Sequence, residues 1–309
     1  MDCGLQQGRD QQDNRVLDFS PGSVDYVIAT HAHIDHSGRM PLLSRLGFRG
    51  QLVTTRLTGQ LLSIMLRDSA HIQESDAEWE NRKGARAGRL PAEPLYTIAD
   101  AEAVLQQLVT YEYGQLVELC PGVRLRFVDA GHLLGSASVE LWLTEDGVER
   151  KIVFSGDLGN RDQPIIRDPQ SIHEADYVVM ESTYGDRSHE IPESYTESLA
   201  AIIDETFSKG GNVVIPAFAV GRTQELLYFI REIKDRGLVK NVPDFTVCVD
   251  SPLANEATQI FAGDLRGYLD DNAVEVLRQG GKLFNFSGLK LVKTSEESKA
   301  LNLDLGKMK

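Results

Sequence analysis

The sequence predicts an α/β protein in two parts, and three observations carry that reading. In the first part, apolar runs of strand length end repeatedly in loops bearing His, Asp or Glu. From about Pro192 onward, helix-spaced and strand-length segments alternate, the pattern of parallel strands joined by helical crossovers. A length of 309 residues, with 41% hydrophobic and 25% charged, holds one large globular domain or two ordinary ones.

Taken in order, Asp2-Cys3-Gly4-Leu5 reads as the end of a strand turning into a loop, and Gln6 to Gly22 as an exposed polar connection. Val24 to Ala29 is an apolar run of strand length, followed by Thr30-His31-Ala32-His33-Ile34-Asp35-His36-Ser37-Gly38 and by Leu42, Leu43 and Leu46 at helical spacing. The histidine cluster therefore falls on a strand-to-helix loop. Gln51 to Thr54 is a second strand, and Leu57, Leu61, Leu62, Met65 and Leu66 place one apolar face on a helix running towards Ile72. That helix is expected to give way to a basic loop, Asn81 to Arg89, with four positive charges and no acid. Such a loop is either a solvated connection or a backbone-contacting one.

Ile98 to Leu108 again has helical spacing, after which Val123 to Asp129 alternates with period two and ends at Gly131-His132-Leu133-Leu134-Gly135. Val139 to Leu143 and Lys151 to Phe154 are strands around Glu145-Asp146-Gly147, and the second delivers Gly156-Asp157. Tyr177 to Met180 delivers Glu181. Four strands thus bring His, Asp or Glu to the ends where a sheet sandwich assembles a site. In the second part, Glu193 to Phe207 is helical and Asn212 to Pro216 is a short buried strand. Gly221 to Leu227 opens a helix, Phe245 to Val249 is a strand, and Asp250-Ser251-Pro252 caps another helix. Leu289 to Lys293 and a short helix around Ser298 to Leu301 follow.

The net charge of −14 counts against broad nonspecific binding of polyanions. It does not fix the field in a cleft, where two divalent cations would add four positive charges. No apolar stretch is long enough to cross a bilayer, and Met1-Asp2-Cys3-Gly4 lacks the features of a signal peptide, so a cytoplasmic protein is expected. Cys3, Cys120 and Cys248 are odd in number and widely spaced, which supports neither a disulfide framework nor a zinc knuckle.

Imidazoles and carboxylates in this pattern point to a metal. His31 and His33, at alternate positions, suit one divalent ion; Asp35 and His36 suit a second. His132 closes the first set, and Asp157, with two oxygens, bridges both. A pair of ions lowers the pKa of shared water, which supplies a nucleophile near neutral pH. The competing reading is a chance polar turn for the first cluster and ordinary turn residues for His132 and Asp157. His71, His173 and His189 read as structural or surface histidines. Glu181 also suits a cap, and Asp2 either supports a ligand histidine or is only the first ordered residue.

His31-x-His33-x-Asp35-His36, Gly131-His132 and Gly156-Asp157 resemble, in order, the metal motifs of the metallo-β-lactamase fold hydrolases. Met180-Glu181-Ser182-Thr183-Tyr184-Gly185, Pro216 to Glu225, Gly135-Ser136-Ala137 and Asp250 to Ala254 resemble the β-CASP ribonuclease branch of that family. The resemblance covers nearly the whole chain. It implies an αββα lactamase sandwich over residues 1–190, incomplete in its strands, and an inserted α/β β-CASP cap domain over residues 191–309. It further implies two zinc ions held by His31, His33, Asp35, His36, His132 and Asp157, with Asp35, Asp157 and Glu181 in catalysis. Single-stranded RNA would be the substrate, hydrolysed at a phosphodiester, with Arg222 and Ser251 on the substrate and Glu181 orienting a histidine.

A homodimer is compatible with this reading, and a membrane is not expected. Family members carry further strands at both ends and two more histidines after the β-CASP segment, whereas this chain has none after His189. The expectation for the chain as given is therefore an incomplete second metal position and weak turnover. The alternatives are a small-molecule ester, thioester or lactam hydrolase, and a catalytically silent RNA-binding fragment.

Overall fold

A computed structural model describes residues 1–84, 90–188 and 194–304. Two compact units are present: Met1–Arg161 with Asp168–Glu181, and Asp162–Arg167 with Ser182–Lys309.

In the first unit, β1 (Tyr26–Ile28) leads through the histidine loop into α1 (Ile34–Ser37) and α2 (Met40–Arg45). Then come β2 (Gln51–Thr55), α3 (Arg56–Gly84), α4 (Ile98–Leu105) and β3 (Leu108–Tyr111). Strands β1, β2 and β3 form one parallel sheet in that order. The second sheet contains β4 (Val117–Cys120), β5 (Val123–Asp129), β6 (Ala137–Glu145), β7 (Val148–Phe154) and β8 (Tyr177–Val179), also in chain order. Its ladders are antiparallel except β7–β8. Asp146 and Gly147 both take positive φ, 51° and 77°, as a two-residue hairpin between β6 and β7 requires.

Period-two alternation explains how the sheets meet. Ile28 and Val53 from the first sheet and Leu125, Phe127, Ala137 and Val139 from the second form one buried cluster, so the two sheets share a core. Phe127 is completely buried there. Phe127→Ala is expected to cost about 3–5 kcal/mol, read as a lower denaturation midpoint at unchanged m-value. The alternate residues of the second sheet form a polar ladder. Glu140, 2% exposed, takes hydrogen bonds from Arg126 Nε at 2.5 Å and Lys151 Nζ at 2.5 Å. Burial alone would raise the Glu140 carboxyl, but these two cations outweigh it and hold it below the usual carboxylate range.

Three expectations need correction in this unit. Helix α3 does not stop near Ile72: Gln73 to Glu80 are mostly good helix formers, and it continues to Gly84. The start of the expected basic loop, Asn81 to Gly84, is thus its last turn, while residues 85–89 lie outside the described residues. Strands β3 and β4 were not expected, because neither short segment shows a full alternation. The polar connection from Gln6 to Gly22 contains 3₁₀ turns at Gly8–Arg15 and Pro21–Ser23, and its Asn14 is buried, closing its amide onto the backbone of Gln6.

The second unit contains α5 (Tyr195–Ser208), α6 (Arg222–Asp235), β9 (Val247–Val249), α7 (Pro252–Phe261), α8 (Asp271–Arg278), β10 (Leu289–Leu291) and α9 (Ser295–Asp304). Strands β9 and β10 pair in parallel, as the alternating pattern predicts. Ala200, Ile203, Ile230, Ile233, Val239 and Phe245 form its core. Ser194, Ser251 and Asp270 accept backbone N–H bonds as N-caps of α5, α7 and α8. Asn212 to Pro216 is not the buried strand expected from its composition. It joins no ladder among the described residues, and Val214 is 79% exposed. His189 and Glu193 lie outside the described residues.

Candidate metal centre

Three strand ends of the first unit supply the donors. Beyond β1, the extended backbone places His31 and His33, and α1 then turns His36 back towards them. The β5–β6 turn is fastened by the Ser136 hydroxyl, which accepts from the N–H groups of His132 at 3.1 Å and Leu133 at 3.0 Å. Asp157 follows β7 through Gly156, whose φ is +56°. A Cβ at Gly156 would lie 2.8 Å from Thr30 Cβ, so only glycine lets the Asp157 loop close against the histidine loop.

His31, His33, His132 and Asp157 each offer one ligand atom to a group whose members all lie within 4.8 Å of one another. His33 Nδ1 is 3.1 Å from His31 Nε2 and 3.2 Å from His132 Nε2. Asp157 Oδ2 is 3.7 Å from His31 Nε2 and 3.6 Å from His132 Nε2. A tetrahedral ion with bonds of roughly 2.0–2.1 Å sets its donors about 3.4 Å apart, so this spacing fits such an ion. The other carboxylate oxygen, Asp157 Oδ1, is 3.1 Å from His36 Nε2. Asp157 therefore faces His31 and His132 with one oxygen and His36 with the other.

The electrostatics agree with that division. Burial, reinforced by the neighbouring histidines, holds His31 well below the usual imidazole pKa. Burial and the nearby His132 bring His33 down to about 4, and burial lowers His132 as well. All three are neutral near pH 7, the state a metal ligand needs. His36 behaves oppositely. Burial would lower it, but hydrogen bonds to Asp157 and Asp2 raise it to about 10. The hydrogen bond from His36 is also the main reason that Asp157 falls to about 2.

The remaining expected residues are placed differently. Asp35 stands outside the group of four, its side chain 58% exposed and its Oδ2 4.0 Å from His36 Nε2. Glu181 Oε1 accepts from the N–H of Leu158 at 2.8 Å, and its own N–H donates to Ser155 Oγ at 3.0 Å, tying β8 to the Asp157 loop. In the second unit, Arg222 bonds Glu225 at 2.7 Å from the first turn of α6, and the Ser251 hydroxyl caps α7. Asp2 accepts from His36 Nδ1 at 2.9 Å, the contact that a supporting role for this residue requires. Sequence reasoning missed Thr30, which lies between Asp2 and His31. A hydroxyl immediately before the first histidine was the available signal.

Comparisons with known proteins match this architecture. The metallo-beta-lactamase superfamily profile matches residues 2–48, and the Beta-Casp domain profile residues 223–308. Ribonuclease TTHA0252 of Thermus thermophilus is 36% identical over 309 residues, which is 100% of this chain and 65% of that protein. Transcription termination factor FttA of Methanothermobacter thermautotrophicus is 31% identical over 251 residues, covering 79% of this chain and 37% of that protein. FttA of Thermococcus kodakarensis is 34% identical over 221 residues, covering 70% and 31%. The chain thus spans 65% of the length of the ribonuclease and about a third of the termination factors. The superfamily match implies divalent metal binding, and the His31, His33, His132 and Asp157 group could hold such an ion. With both profiles matched in order on one chain and a ribonuclease aligned along its whole length, this protein is similar to the β-CASP branch of the metallo-β-lactamase superfamily.

Proposed function

We propose that this chain is the metal-binding part of a hydrolase that cleaves RNA phosphodiester bonds, with zinc as the metal and single-stranded RNA as the substrate. The observation that carries the reading is the split carboxylate: Asp157 faces His31 and His132 with one oxygen and His36 with the other. His31, His33, His132 and Asp157 would hold one zinc, and His36, Asp157 and the exposed Asp35 would contribute to a second. Bound there, the ions would acidify water and neutralise charge on a phosphoryl group. Asp157 would be shared between the two positions, and Asp35, open to solvent, would exchange a proton with entering water. Glu181 holds the loop that carries Asp157. In the second unit, the exposed Arg222 guanidinium at the start of α6 is a contact for the RNA backbone. The acidic net charge makes such contacts local and salt-sensitive. A cytoplasmic protein, as monomer or homodimer, is consistent with this role, and no described helix is long and apolar enough to cross a membrane.

The test is zinc content by plasma mass spectrometry, together with cleavage of end-labelled single-stranded RNA and of a chromogenic ester. The expected result is RNA cleavage that zinc supports and a chelator abolishes. Ester turnover without RNA cleavage would establish a small-molecule hydrolase instead. No turnover with one zinc or none per chain would establish a silent RNA-binding fragment.

A further inference from the structure

Asp2 sits in an unusual backbone state, with φ +47°, in the left-handed region where side chains other than glycine are uncommon. Its N–H donates to the carbonyl of Ile28 at the end of β1, and its carboxylate then meets three groups. Oδ1 accepts from the N–H of Thr30 at 2.8 Å. Oδ2 lies 2.9 Å from Thr30 Oγ1 and 2.9 Å from His36 Nδ1. Thr30 Oγ1 is in turn 3.0 Å from His31 Nδ1, in a buried contact.

Donor counting fixes the direction of every bond in this chain. A carboxylate only accepts, so both the Thr30 hydroxyl and His36 Nδ1 donate to Asp2. A hydroxyl has one proton, and that proton is already committed. The oxygen can therefore only accept from His31, whose Nδ1 must carry hydrogen. His31 Nε2 is then left with its lone pair facing the donor group, 3.1 Å from His33 Nδ1. His36 likewise carries hydrogen on Nδ1 and turns Nε2 towards Asp157.

We propose that Thr30 is a positioning residue that extends the reach of Asp2, so that one carboxylate sets the tautomers of two ligand histidines, one in each neighbouring donor set. Asp2 acts directly on His36 and acts on His31 through the Thr30 hydroxyl. The two metal positions are thereby coupled through a group that touches neither ion. This rests on the proposed two-position metal reading, and it predicts unequal effects for the two residues. Loss of the Thr30 hydroxyl frees His31 alone. Loss of the Asp2 charge disturbs both histidines, because an amide is a weaker acceptor and, in either orientation, turns an N–H towards a group that itself donates.

The experiment uses the full chain as parent, Thr30→Val, Thr30→Ser and Asp2→Asn. Long-range ¹H–¹⁵N spectra of the metal-free proteins read the histidine tautomers directly. Cobalt(II) titrations in competition with a chelator, followed by visible absorption, read the two binding steps. In the parent, His31 is expected to be the Nδ1–H form. In Thr30→Val it shifts towards the Nε2–H form while His36 keeps its parental spectrum, and the first cobalt step weakens roughly ten- to hundredfold with a changed absorption band. Thr30→Ser restores both readouts, which a merely structural loss at this site would not explain. Asp2→Asn weakens both steps.

An Nε2–H parental His31, or an unchanged His31 tautomer and cobalt affinity in Thr30→Val, would overturn the relay. A parent with the expected tautomers that binds no cobalt would leave the relay standing and remove the metal reading. Thermal unfolding of each metal-free variant separates these results from misfolding, and the parental His31 tautomer carries the test if Thr30→Val does not fold.

Discussion

Asp157→Asn is expected to lower metal affinity by more than the roughly ten- to hundredfold that loss of an outer hydrogen-bond partner costs, and to remove metal-dependent RNA cleavage. The physical reason is its position between two donor sets. One oxygen lies 3.1 Å from His36 Nε2, and the other lies 3.6–3.7 Å from His132 and His31. The amide keeps the shape but loses the negative charge and presents N–H donors on one side. Both donor sets suffer at once, whereas a histidine replacement would damage only one. Zinc content after gel filtration, measured beside a metal-free melting curve, checks this. Parental zinc in a folded Asp157→Asn chain would show that the carboxylate is not a ligand.

The second large effect is a pH optimum of stability in the metal-free chain. His36 is raised from 6.5 to about 10, so the folded chain keeps a proton that the unfolded chain releases. Its contribution is full below about pH 6.5 and disappears as pH rises through about 10. His33 is lowered to about 4, so the unfolded chain takes up a proton that the folded chain refuses. Stability therefore falls as pH drops from about 6.5 towards 4, and His31 and His132 act in the same direction. Asp157 adds a further loss as pH falls from 3.8 towards 2. Melting temperature measured in a chelator between pH 4 and 10 should peak near pH 6.5. Metal binding above that pH must also displace the His36 proton, seen as a buffer-dependent heat in calorimetry. A melting temperature that climbs steadily from pH 7 to 9 would contradict the assignment of His36.

Why some of this was legible in the sequence and some was not follows from where the information lies. His31, His33 and His36 sit within six residues, and strand-length apolar runs carry His132 and Asp157 to loop positions; local spacing was enough. Asp35 shares that spacing, yet α1 turns its side chain to solvent, because one residue along a helix rotates the direction of projection by about 100°. Thr30 gains its role from Asp2, 28 positions earlier, and nothing local announces such a partner. The Arg126–Glu140–Lys151 ladder depends on cross-strand register, which two hairpins define only once they are built. Asn212 to Pro216 failed for the complementary reason. Its composition suits a strand, but a strand needs a neighbour.

Strand β8 carries a consequence of its own. Tyr177, Val178, Val179 and Met180 are 56–62% exposed at the end of the second sheet, an apolar edge of the kind that templates aggregation. The residues on either side are Asp176 and Glu181. If two copies met edge to edge in antiparallel register, Tyr177 opposite Met180, each Asp176 would face the other copy's Glu181. In that arrangement the facing acids would oppose self-association, less so as ionic strength rises.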